Sequence, residues 1–247
     1  MLRVKTVTKA LSLLDLFLET PGRQSLGALA ESAGLDKATA RRMLVAMCDY
    51  GLVEQDGASR LYALGPRVLP LARAREADRP LLSVVDPEVR AVAAALGETC
   101  HFSLPAHGAL SVLCVAEADR PIRVHVREGS TLPLHTTGAG IAFLAASDDS
   151  VVERVLAGPM PAAVPGSYVT PAVVRAAVAD ARRLGYARTD QTFEADVTGT
   201  ARVVRDGRGA VVGALGVAMP VHRMTPEVEA QTLARLEQAV DRLTSSL

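Results

Sequence analysis

Residues 25 to 64 constrain this 247-residue chain more than any other stretch, because they read as two short capped helices followed at once by a hairpin. Ser25 precedes Leu26-Gly27-Ala28-Leu29-Ala30-Glu31-Ser32-Ala33, and its hydroxyl can accept from the amides that a first helical turn leaves open. Gly34-Leu35 supplies a tight turn. Asp36 then caps a second helix, predicted to run to about Tyr50, and Gly51 ends it. Two short helices joined by a glycine-containing turn form the helix-turn-helix unit, whose second helix enters the major groove of DNA. Leu52-Val53-Glu54-Gln55 and Arg60-Leu61-Tyr62-Ala63-Leu64 then flank Asp56-Gly57-Ala58-Ser59, a hairpin signal that makes the unit winged.

The second helix has two faces. At 3.6 residues per turn, Ala40, Met43, Leu44 and Met47 share the side that packs. Ala38, Arg41, Arg42 and Val45 fall opposite, flanked by Lys37 and Thr39. Arginine there can pair with guanine or clamp a phosphate, and alanine can approach a thymine methyl. Taken alone, this helix fits an ordinary solvated face equally well. The capped helix before it and the hairpin after it favour double-stranded DNA.

The length suits two modest domains. Apolar residues make up 49% and aromatics 3%, with no tryptophan, so Ala, Val and Leu must build the core. The net charge is zero. Residues 1–78 hold 11 Lys/Arg against 9 Asp/Glu, and the remainder 16 against 18. A net of +2 is mild, so affinity for DNA must come from placed arginines and a dimer rather than bulk charge. Cys48, Cys100 and Cys114 form no CxxC pair and are expected to be reduced thiols of a cytoplasmic protein. No apolar run is long enough to cross a bilayer, and the charged start (Arg3, Lys5, Lys9) leads into an amphipathic helix rather than a cleavage site.

Thr6 is expected to cap a first helix, Val7 to about Glu19. More than half of its circumference is apolar, so it calls for a second subunit as well as a core. Residues 66–79 read as a linker helix between residues 1–65 and 80–247, with the boundary near Arg79-Pro80. In the second part, helices are expected at 81–96 (with Pro87 near a helix start or at a break), 136–146, 149–156 and 170–184, and after Thr225-Pro226-Glu227. Strands are expected at 99–104, 110–116, 122–126, 197–205 and 211–218. Neighbouring strands joined by short turns give a mostly antiparallel sheet with flanking helices, an α+β domain.

Thr8-Lys9-Ala10-Leu11-Ser12-Leu13-Leu14, Leu29-Ala30, Gly34-Leu35-Asp36-Lys37-Ala38-Thr39, Arg42-Met43-Leu44 and Tyr62-Ala63-Leu64-Gly65 resemble the N-terminal domain of IclR-type transcriptional regulators. Pro133-Leu134-His135-Thr136-Thr137-Gly138-Ala139-Gly140, Leu184-Gly185-Tyr186-Ala187 and Gly213-Ala214-Leu215-Gly216-Val217-Ala218 resemble that family's effector domain. The likeness spans nearly the whole chain. It implies a winged helix-turn-helix domain, a linker helix and a GAF-like effector domain, assembled as dimers or dimers of dimers. It also implies effector-binding positions at Leu132, Gly138, Ala139, Thr189 or Asp190, Gly199, Gly216 and Ala218. DNA contacts are expected from Ser25, Lys37, Ala38, Thr39, Arg41, Arg42 and Arg60.

Read without the resemblance, Gly138-Ala139-Gly140 opens a helix with two glycines, so three amides can point at an anion; a turn needing glycine for close packing is the plainer alternative. The chain also departs from the family, with Ile141 where lysine is frequent, no cysteine near Gly199, Val203 for proline, and Gly216-Val217-Ala218 without serine. These departures suggest an apolar floor and a carboxylate bulkier than the smallest keto acids, its acid end at Gly138-Ala139. His101, His125 and His135, with Asp190 and Glu194, are too irregularly spaced for a metal site, and no cofactor is expected. Arg123 and His125 would share one strand face, serving a carboxylate or solvent. An enzyme on the second domain lacks a GxSxG, P-loop, HExxH or paired-carboxylate motif, and a cofactor-type sensor is the other alternative.

Overall fold

The computed structural model describes residues 4–78, 80–164 and 169–247. Arg3 and Arg79, named above, lie outside the described residues. The chain divides into two compact units, Met1–Pro80 and Leu81–Leu247.

The first unit holds α1 (Lys5–Glu19), α2 (Leu26–Ser32), α3 (Lys37–Asp49), β1 (Val53–Gln55), β2 (Tyr62–Leu64) and α4 (Val68–Asp78). Leu13 and Phe17 of α1, Leu29 of α2, and Leu44 and Met47 of α3 meet Val53 and Tyr62 of the hairpin in one core. The Ser25 hydroxyl accepts from the Ala28 amide at 3.2 Å, and Asp36 accepts from the Thr39 amide at 2.8 Å. Gly34 and Gly51 take the left-handed backbone that each turn demands (φ 61° and 69°). Tyr62 also exchanges both backbone hydrogen bonds with Gln24, which fastens the wing to the start of α2. The Gly65 amide donates to Leu52 and the Arg67 amide to Gly51, so the chain leaving the wing is tied to the end of α3 before α4 begins. One expectation fails here. α1 starts at Lys5 after Val4, and no side chain caps it, so Thr6 lies inside the helix.

The second unit holds α5 (Leu81–Leu96), β3 (Thr99–Ala106), β4 (Ala109–Ala116), β5 (Thr131–Leu132), α6 (Gly138–Ala145), α7 (Asp149–Leu156), α8 (Pro171–Leu184), β6 (Ala187–Asp190), β7 (Val197–Arg205), β8 (Val211–Pro220) and α9 (Pro226–Ser246). Its six strands run in the order β5-β4-β3-β8-β7-β6, every neighbour antiparallel. Strand periodicity splits the side chains between two layers. Cys100, Phe102, Val204, Leu215, Val217 and Met219 pack under α5 and α9, while Ala201, Ala214, Leu110 and Val112 pack under α6, α7 and α8.

Three expectations are corrected. Residues 122–126 form no strand, and Arg123 and His125 both turn to Glu117 in an irregular loop. Pro87 sits inside a continuous α5, where burial of Val85, Val89 and Val92 outweighs the one backbone hydrogen bond that proline removes. β5 and β6 were not expected: two and four residues are too short for an alternation to stand out, and pairing with β4 and β7 creates them.

Candidate functional site

Two sites emerge, one in each unit. On α3 the packing face is as the periodicity requires: Ala40 and Leu44 are fully buried and Met47 nearly so. Lys37, Ala38, Arg41, Arg42 and Val45 are exposed, and Thr39 is half-buried. The Thr39 hydroxyl accepts from Arg42 at 3.2 Å, which orients that guanidinium along the helix surface. Thr39, through its hydroxyl and amide, holds the Asp36 carboxyl below its ordinary range, so the cap stays charged. Among the described residues, Lys37, Arg41, Arg42 and Arg60 make no ion pair. Arg60 is not on β2 but in the turn before it, in left-handed backbone (φ 61°), where its amide donates to Asp56 and its carbonyl accepts from Gln55. Asp56, held by Ser59 and by Arg23 at 2.8 Å, organises that turn, and these partners push its carboxyl far below the carboxylate range.

The second unit holds a cavity of about 290 Å³ on the sheet face that carries α6. Its floor is His101 of β3, Gly216 and Ala218 of β8, Gly199 of β7 and Thr189 of β6. Leu132, Val124 and Val126 stand at one side, Phe193 and Val197 at another, and the start of α6 closes it. Leu132, Gly138, Ala139, Thr189, Gly199, Gly216 and Ala218 are thus brought together. Asp190 is not: the next residue on β6 faces away, and its carboxylate accepts from Arg188.

Glycine is required where α6 meets the sheet. A Cβ at Gly138 would lie 2.6 Å from the Gly199 carbonyl oxygen, and one at Gly140 would lie 2.5 Å from the Leu134 Cα. Close packing therefore explains both glycines, and a valine at Gly138 would test folding before binding. It also reduces the expected three free amides. The Thr137 hydroxyl accepts from the Gly140 amide at 3.0 Å and donates to the Pro133 carbonyl. The amides of Gly138 and Ala139 have no partner among the described residues.

Ile141 is a core residue and Val203 packs against the same core, so neither shapes the cavity. The floor is also less apolar than the sequence suggested. His101 is only 7% exposed, and its Nδ1 lies 3.0 Å from the Ser103 hydroxyl. Its ring occupies the space that glycine leaves at position 216, since a Cβ there would be 2.8 Å from Nε2. Burial pushes the imidazole down to about 4, so it is neutral near pH 7. Neighbouring-strand periodicity alone could have flagged it: His101 shares a face with Thr99 and Ser103, an unusual polar row on a central strand. His135 is structural, its Nε2 lying 3.1 Å from the Pro161 carbonyl. No cluster of His, Cys, Asp or Glu fit for a metal occurs among the described residues, nor does a helix long and apolar enough to cross a membrane.

A winged helix-turn-helix unit followed by an α+β unit with a small-molecule cavity defines a ligand-responsive class of DNA-binding protein. Residues 6–57 match the IclR helix-turn-helix domain, and residues 77–245 match the bacterial transcriptional regulator IclR C-terminal domain. The chain belongs to the IclR family. It is 32% identical over 233 residues to the glycerol operon regulatory protein of Streptomyces griseus, covering 91% of this chain and 88% of that one. It is 26% identical over 246 residues to the transcriptional repressor IclR of Escherichia coli, covering 98% and 89%. An IclR-type regulator structure from Silicibacter sp. TM1040 superposes with a TM-score of 0.90 at 38% identity, over 98% of this chain and 95% of that one. An IclR homologue from Microbacterium hydrocarbonoxydans, crystallised with 4-hydroxybenzoate, shares the fold at a TM-score of 0.80 and 24% identity, over 97% and 98%. The family is one of DNA-binding transcriptional regulators, not enzymes.

Proposed function

We propose that this regulator's grip on double-stranded operator DNA is set by a small carboxylate-bearing metabolite in the cavity of residues 80–247. The observation that carries the reading is the pair of unpartnered amides, Gly138 and Ala139, at the first turn of a helix that opens on a largely apolar cavity. Amides and helix dipole together make such a turn a carboxylate seat. Leu132, Ala139 and Ala218 offer walls for the ligand's body, Gly199 lets the start of α6 approach the floor, Gly216 makes room there for the His101 ring, and Thr189 rather than Asp190 stands beside the acid. The 4-hydroxybenzoate held by the Microbacterium homologue is an acid of this class.

On the DNA side, Arg41 and Arg42 read guanine edges or clamp phosphates, Ala38 approaches a thymine methyl, and Lys37 and Thr39 flank them. Ser25 and Arg60 hold the backbone on either side. Residues 1–65 bind DNA and residues 66–79 connect them to the effector part. α4 has no buried residue and exposes Leu69 and Leu71, while Val4, Val7, Leu11 and Leu18 form an exposed apolar stripe beginning just before α1 and continuing along it. A second copy of the chain covers these surfaces, giving a dimer or a dimer of dimers.

Calorimetric titration with a panel of small organic acids and their neutral amides tests the reading. At least one acid should bind at a stoichiometry of one per chain and its amide should not. If no acid binds, or amides bind as well, the carboxylate seat is wrong.

A further inference from the structure

The cavity has a second polar pole. Three hydroxyl-bearing side chains that line it are spent on backbone carbonyls: Thr137 donates to Pro133 at 2.8 Å, Thr192 to Thr136 at 2.6 Å and Ser130 to Arg127 at 2.6 Å. His125 is clasped by Glu117, and the hydroxyl of Thr189 lies next to Gly199, at the α6 end. Two lining side chains are not spent in this way: Thr200 of β7, whose buried hydroxyl has no partner among the described residues, and His101, which carries the larger polar group. It is more than nine-tenths buried, it lines the cavity, and its Nε2 has no hydrogen-bond partner among the described residues.

Strand register fixes where this nitrogen sits relative to the free amides. α6 rests on Gly199, which is opposite Ala218 on β8. The His101 ring lies over Gly216, two residues along β8 from Ala218. One strand across and two residues along is roughly 8 Å, from the ordinary spacings of a sheet. The two poles are therefore far enough apart to engage polar groups at opposite ends of a small ligand.

We propose that His101 is the specificity-determining residue of the cavity, and that the ligand is a carboxylate bearing an uncharged hydroxyl or carbonyl group at its opposite end. This rests on the carboxylate reading above. The Ser103 hydroxyl can either donate to Nδ1 or accept from it, so Nε2 can present a proton or a lone pair to the ligand. A ligand lacking the distal group leaves that nitrogen buried without a partner, which is how such sites reject the bare analogue.

The test uses matched acids that differ only in the distal oxygen: 4-hydroxybenzoate against benzoate, 4-hydroxyphenylacetate against phenylacetate, and 6-hydroxyhexanoate against hexanoate. The wild-type chain should prefer the hydroxylated member of at least one pair by about tenfold or more. His101→Leu should bring that pair to near equality by weakening the hydroxylated acid, and His101→Gln, which keeps a donor and an acceptor, should restore part of the preference. In the wild-type chain with 15N-labelled histidine, the His101 Nε2 resonance should move with the hydroxylated acid and stay with the bare one. This spectroscopic readout stands even if a variant fails to fold. Equal affinities within every pair, or a preference that survives in His101→Leu, would overturn the role of His101 while leaving the carboxylate seat intact. Binding of none of the six acids would overturn both.

Discussion

The two units treat their cations in opposite ways. Along the sheet and helices of residues 81–247, most arginines are tied to the chain's own carboxylates: Arg242 to Glu88 at 2.7 Å, Arg182 to Asp149 at 2.8 Å, Arg188 to Glu229 at 2.9 Å, and Arg223 and Arg120 to the buried Glu98. Burial raises the Glu98 carboxyl even as those two arginines oppose it. In the first unit Arg23 is held by Asp56, but Lys37, Arg41, Arg42 and Arg60 make no ion pair among the described residues. Near-equal charge counts thus hide a division of labour. In the second unit most arginines are bound up in ion pairs, whereas the exposed cations of α3 and the wing are left open to the phosphates and bases that the proposed function assigns to them.

Removing the outward arginine pair should have the largest effect. Arg41→Ala with Arg42→Ala should cost about 1–3 kcal/mol per residue, roughly thirtyfold or more together, in operator affinity measured by anisotropy. Thermal stability should stay within about 0.5 kcal/mol, since both side chains are exposed. Next comes the glycine contact beneath α6. Gly138→Val should destabilise the second unit by about 3 kcal/mol in denaturant unfolding, because its Cβ must displace the Gly199 backbone. Gly57→Ala in the wing, where a Cβ meets nothing, should change little.

The His101 imidazole gives a pH signature of comparable or slightly smaller size. Its folded value of about 4 lies below the ordinary 6.5, so the unfolded chain binds the extra proton between those values. Stability is therefore fully present above pH 6.5 and falls as the pH drops toward 4, by on the order of 2–3 kcal/mol. His101→Gln should flatten that part of the profile. The smallest effects are in the first unit. Asp36→Ala should lower its stability slightly through the lost cap, read as a small drop in the denaturant midpoint. Arg60→Ala should lower the salt dependence of operator binding by about one phosphate's worth while leaving sequence preference unchanged.

Legibility in the sequence also differs between the units. The first unit announces itself through local chemistry: Ser25, Asp36, Gly34 and Gly51 each act within four residues, and all do what capping and turn rules require. The same holds for Thr170, Gly185 and Thr225 around α8 and α9. What local rules miss is made by distant partners. β5 and β6 exist because β4 and β7 lie beside them, and residues 122–126 are β-prone yet stay irregular, with Arg123 and His125 drawn to Glu117 and Arg223 donating to the Ile122 carbonyl. The cavity follows the same division. Motif likeness names Gly138 and Ala139, but that Thr137 claims the Gly140 amide, that Asp190 turns to Arg188 and that His101 enters the floor depend on three-dimensional register.

Coupling of the two units through a bound carboxylate, as proposed, can be read in a single titration. Anisotropy of fluorescently labelled DNA from upstream of the chain's own coding sequence would be followed while an acid that binds the cavity is titrated, in the wild-type chain and in Ala139→Pro. That variant deletes one of the two free amides at the second position of α6, where no intrahelical hydrogen bond is lost, and its unfolding curve is compared with wild type first because Ala139 is buried. A carboxylate seat at Gly138 and Ala139 gives a severalfold change in operator affinity with wild type and little or none with Ala139→Pro. Operator binding that ignores every acid the cavity holds, or an Ala139→Pro response equal to wild type, would contradict it.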